Sequence, residues 1–212
     1  MNLAAQHLLG ACRFARRLTE VEQENIGQPL GPFWEEVLHN ALAVATMTTA
    51  SLECYANEFY FENAALTPAL HPQAVEAVAD LADQASIVNK YDLALAVRSG
   101  RRLDQGAAEV QNVAVLIKLR NEVVHFHPEW VGEQVKHARL SAQLARKFDV
   151  SPVLAGEPVF PYSWASASFA AWALTTVVRF LDHFCNEAAM QNPMDHLRPF
   201  LVERSGGIVR AT

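Results

Sequence analysis

Arg120, Asn121 and His125 fall within one six-residue stretch, Arg120-Asn121-Glu122-Val123-Val124-His125, and their side chains have complementary chemistry. A guanidinium holds a phosphate through a planar fork of donors. An imidazole carries protons near neutral pH. A carboxamide can hydrogen-bond that imidazole and fix its tautomer. Together these groups suit metal-independent cleavage of a phosphodiester. In that reaction a ribose 2′-OH attacks the adjacent phosphorus, the imidazole moves the proton, and the guanidinium neutralises charge growing on the phosphate. Lys118, two residues upstream, is a supporting cation, and His127, two residues beyond, is a second proton carrier or substrate contact.

Helical geometry constrains how these groups can meet. At about 100° per residue, Asn121 and His125 lie one turn apart on one face, whereas Arg120 lies roughly 140° around the helix from His125. Arginine's length, or a second chain, must close that gap. The reaction also needs both an acid and a base, and the motif supplies one obvious histidine per chain. A symmetric dimer would bring two.

The run Leu116-Ile117-Lys118-Leu119-Arg120-Asn121-Glu122-Val123-Val124-His125-Phe126 resembles the signature of the HEPN superfamily, in which an arginine, a polar residue, three further residues and a histidine form the motif. The upstream segment Ser51 to Glu58 resembles the glutamate-bearing long helix of many members, with Glu53 as the residue that would orient the arginine. The resemblance covers the stretch from about Phe33 to His127 and extends to Trp164 to Met190. It implies an all-α HEPN-like bundle of long up-down helices plus shorter ones, dimerising with both motifs facing a shared cleft. In active members that cleft is a metal-independent endoribonuclease of toxin–antitoxin or defence systems. The implied partners are a second copy, an RNA substrate and an antitoxin or regulatory protein, with no cofactor and no metal. By this resemblance Arg120 and His125 are catalytic, Asn121 supports them and Glu53 would orient the arginine, while His127 and Lys118 are supporting residues by their position beside the motif. One position departs from the pattern: toxins paired with a nucleotidyltransferase antitoxin carry tyrosine where this chain has His127. A non-catalytic HEPN-like binding or scaffold module is the alternative.

A di-iron carboxylate bundle is the remote alternative. Glu36-Val37-Leu38-His39 and Glu122-Val123-Val124-His125 are both Glu-x-x-His, a pattern such bundles use twice. They also need two further glutamates, for which Glu76 and Glu22 or Glu24 stand in the right order.

The elements that must position the motif read as helices. Apolar residues recur at three- and four-residue spacing, and strand-like alternation is nearly absent. The punctuation predicts helices over Asn2 to Glu24, Phe33 to Asn63, Ala74 to Ala85, Ile87 to Val97, Asp104 to His125 with Asp104 as N-cap, Val131 to Phe148, Trp164 to Met190 and Asp195 to Arg204, and a frayed tail from Ser205 to Thr212. Pro128 sets the end of the motif helix, because it disfavours helical geometry at His127. A chain of 212 residues that is 51% hydrophobic suits a single domain with its own core.

A formal charge of −6 argues against a broad basic face for coating duplex nucleic acid, so any phosphate contact must be local. Cys12, Cys54 and Cys185 lie far apart with no CxxC pair, which fits free thiols in a reducing cytoplasm. Leu8-Leu9-Gly10-Ala11-Cys12 lacks a preceding basic residue and is not expected to be a signal peptide. Pro158 to Val178 is uncharged, but its serines, threonines and prolines suit a core or interface helix better than a membrane span. Trp164, Trp172, Phe169, Phe180 and Phe184 are expected as core or dimer contacts. His7, His71, His137, His183 and His196 show no paired metal spacing and are expected at surface or satisfied core positions.

Overall fold

The computed structural model describes residues 2–61, 71–129 and 135–204. Among them the regular structure is helical: α1 (Leu3–Glu24), α2 (Phe33–Phe61), α3 (Pro72–Asp83), α4 (Ile87–Ser99), α5 (Ala108–Val124), α6 (Val135–Leu144), α7 (Ala167–Glu187) and α8 (Arg198–Arg204), with short 3-10 and π turns between α6 and α7 and before α8. The chain is thus an all-α helical bundle. No described helix is long and apolar enough to cross a membrane.

The framework is an α1–α2 hairpin against which α7 packs, and α5 lies across α2 and α7. Gly10 leaves room for the end of the Met47 side chain, since a Cβ there would sit 2.5 Å from Cε of Met47. Nearly all the buried apolar residues described form one contiguous cluster. Leu8, Leu18, Leu52, Tyr91, Leu116, Leu119, Phe169, Phe180 and Phe184 are among its large members. Trp164 is also buried and Trp172 packs on the edge of the cluster, so the expected aromatic group is largely core. Edge-to-face contacts of Tyr91 with Phe59, Phe180 and Phe184 tie α4 to α2 and α7, the geometry that the ring quadrupole favours.

Several helix ends are fixed by side chains. Asn2 caps α1 by accepting the Ala5 N–H at 2.8 Å, and Gly100 ends α4 at a left-handed φ of 72°, where glycine carries no Cβ penalty. Two caps converge at the start of α7. Ser166 accepts the Phe169 N–H at 2.9 Å, and the buried Glu22 carboxylate accepts the Ala167 N–H at 3.1 Å and the Ser151 hydroxyl at 2.8 Å. Glu22 therefore pins the end of α1 to the start of α7. Burial outweighs these hydrogen bonds and raises its pKa above the usual carboxylate range.

The motif helix is shorter than the sequence predicts. Asp104 does not cap it but forms its own turn, its carboxylate accepting the Gly106 N–H at 2.8 Å and its carbonyl the Ala107 N–H at 3.0 Å. Helix α5 starts at Ala108, with no side-chain cap at Ala107. The preceding loop hangs on the buried Asp92, which accepts the Leu103 N–H and the Arg102 Nε, at 2.9 and 2.8 Å. Helix α3 begins two residues early because Pro72 suits a first helical position and His71 accepts the Gln73 N–H. The helix predicted from Val131 is described from Val135, and residues 131–134 and the tail 205–212 lie outside the described residues.

Candidate functional site

Helix α5 carries Val110, Val113, Leu116 and Leu119 into the core. Arg120 lies one turn beyond Leu116 and two beyond Val113, so the core-facing stripe ends on a guanidinium. Arg120 is partly buried. Its Nε is buried and has no hydrogen-bond partner among the described residues. An unpaired buried donor costs about 1–3 kcal/mol and is rare in native proteins.

Helix α5 stops just after this stripe. His125 occupies the C-cap with φ −112° and ψ 49°, its N–H donating to the Asn121 carbonyl at 2.9 Å. From Phe126 to Glu129 the chain is irregular, as expected ahead of and around Pro128. His125 and His127 are both exposed, and so is Asn121. The contact between residues 121 and 125 is therefore made by the backbone, and no carboxamide–imidazole hydrogen bond joins them.

The remaining predicted residues have other engagements. Lys118 lies roughly 200° around the helix from Arg120, and its Nζ donates to Oε1 of Gln143 on α6 at 3.0 Å. Glu53 stands 4.0 Å from the buried Lys90 Nζ, and no ion pair joins it to Arg120. Its expected part in orienting the arginine is not made by direct contact. Glu122 pairs with Lys136 at 2.7 Å, which ties the motif helix to α6. Glu36 pairs with Arg17 at 2.6 Å. With Glu22 on Ser151 and Ala167, the glutamates that a di-iron bundle would need are dispersed. No group of three or more metal-ligating side chains gathers among the described residues.

A cluster that the sequence reading passed over holds the segment after His125. Phe126 stacks on the buried His137, with ring centroids 5.6 Å apart and planes inclined by 22°, and His137 meets Phe160 edge-on at 4.9 Å. Glu129 accepts the His137 backbone N–H at 3.2 Å and lies 3.7 Å from its Nδ1. His137 is thus a core histidine packed between two aromatic rings, and it anchors the chain on both sides of Pro128. Its nearness to the motif was not readable in advance, because Phe160 reaches it from a loop 23 residues further on.

No family model matches the chain, and no curated protein or solved structure matches it either. The fold and the side-chain geometry define it as an all-α bundle with an arginine and a histidine at the end of one core helix.

Proposed function

We propose that the protein is a metal-independent endoribonuclease of the HEPN type, working as a toxin or defence enzyme. In this reading Arg120 binds the scissile phosphate, and its guanidinium offsets charge gathering on the non-bridging oxygens as the ribose 2′-OH attacks phosphorus. His125 moves the proton. Depending on which step it serves, it takes the proton from the 2′-OH or delivers one to the departing 5′ oxygen. The products are a 2′,3′-cyclic phosphate and a 5′-hydroxyl, so no external co-reactant is needed.

The observation that carries the reading is the partly exposed Arg120, whose Nε has no acceptor among the described residues, five residues before an exposed histidine. Arg120 is partly exposed, which leaves part of its side chain open to an anion. A homodimer supports the second proton carrier. Val124 and Phe126, at 52% and 46% exposure, flank the motif histidine with exposed apolar surface of the kind that marks interaction sites. The same surface favours the second reading, a non-catalytic dimeric binding module with an antitoxin or regulatory protein as partner. Cleavage of RNA in EDTA separates the two. Wild type cleaves, Arg120→Ala loses about 10²–10³-fold and His125→Ala about 10²–10⁴-fold. Equal rates in all three proteins discard the catalytic assignment.

A further inference from the structure

We propose that the open apolar groove beside the motif is a nucleobase subsite, which holds the base of the nucleotide whose phosphate meets Arg120. The groove has a volume of about 310 Å³ and runs between the first half of α2 and the end of α5. Trp34 and Leu38 line it from α2, Val123 and Phe126 from α5 and its C-terminal extension, and Tyr162 and Trp164 from the loop before α7. Trp164 is buried, whereas Tyr162 and Phe126 are each 46% exposed, so aromatic surface is available to a ligand.

The occupant follows from size, chemistry and position. The volume lies at the lower end for small-molecule sites, which suits one ring system and not a docked helix. No lining residue is charged, so the groove takes an uncharged, flat, apolar-faced group. Aromatic side chains stack with any base through its π-face. Arg120 and Val123 are neighbours on the helix surface, with Cβ atoms about 5–6 Å apart. Arg120 therefore lies within a nucleotide's own span of the groove, and cation and stacking surface together match phosphate and base.

This inference rests on the reading that Arg120 receives an RNA phosphate. Its test is equilibrium binding of a 2′-O-methyl trinucleotide, which lacks the attacking hydroxyl, against the same trinucleotide with its central base removed. Wild type prefers the intact ligand by about 5- to 100-fold. Trp34→Ala and Tyr162→Ala abolish that preference while leaving the abasic affinity unchanged, Trp34→Phe restores it, and Arg120→Ala weakens both ligands. Tyr162, exposed, serves where Trp34→Ala fails to fold, as judged by circular dichroism. Equal affinity of wild type for the two ligands, absence of binding to both, or a preference that survives both alanine variants overturns the subsite. So does a Trp34→Ala protein that becomes monomeric by light scattering with unchanged trinucleotide affinity, since the groove then holds a second copy. Base preference without cleavage of any RNA sinks the ribonuclease reading and leaves the subsite standing; cleavage without base preference does the reverse.

Discussion

Replacing Arg120 with methionine should make the protein more stable and inactive at once. Val113 and Leu116 are buried in the core, Arg120 continues their stripe while partly exposed, and its Nε is buried with no acceptor among the described residues. Methionine keeps a long unbranched stem for packing and removes the unpaired donor. The penalty relieved is about 1–3 kcal/mol. For a chain of this size each kcal/mol moves Tm by about 2–4 °C, so the expected rise is about 2–12 °C. Arg120→Ala is the control. It also removes the donor but loses the packing of the arginine stem, and so gains little or nothing. Urea and thermal unfolding of the three proteins, paired with RNA cleavage in EDTA, read both effects. An Arg120→Met protein that is less stable than wild type, or that cleaves RNA as fast, refutes the argument that the arginine is kept for an anion at a cost in stability.

Three further outcomes follow from the same contacts. Glu22 has its pKa raised by burial, so it contributes stability that is present below the unfolded value and lost as pH rises through the folded one. Urea unfolding should therefore show the wild-type advantage over Glu22→Gln to be larger at pH 4 than at pH 7, and a difference independent of pH contradicts this. His137→Ala should lower kcat by up to about 10²-fold through misplacement of the segment after His125, with KM little changed, and His137→Phe should recover most of it by keeping the stack on Phe126. Equal rates for all three proteins would show that the aromatic cluster does not position the site. Leu119→Ala, at a fully buried position of α5, should cost about 2–5 kcal/mol in chemical unfolding. A loss below about 1 kcal/mol would mean that the core there is able to collapse around the gap.

The helices were legible in the sequence where local chemistry sets them. Apolar periodicity placed α1, α2 and α7, and Pro128 marked a real end, because backbone preference acts within a few residues. Asp104 misled for the same reason: an aspartate can close its own turn as readily as cap a helix, and that choice is made by the loop anchored on Asp92, which lies in another element. The motif itself, Arg120 to His125, was visible from residue types. Its surroundings were not. The pairing of Glu53 with Lys90 and the stacking of Phe126 on His137 depend on which helices and loops come together, and spacing along one chain does not encode that. The burial of Arg120 Nε lies between these cases, since the stripe from Val113 through Leu116 to Arg120 follows from helical spacing, whereas the lack of an acceptor is a property of the packed structure.

The end groups left on cleaved RNA test the central claim most directly. With EDTA present, wild type should leave a 2′,3′-cyclic phosphate on the upstream fragment and a 5′-hydroxyl on the downstream one, and it should spare a strand whose scissile nucleotide is 2′-deoxy. Both Arg120→Ala and His125→Ala should leave the RNA intact over the same interval. Cleavage that needs added Mg²⁺, leaves a 5′-phosphate, or continues undiminished in both variants contradicts the account.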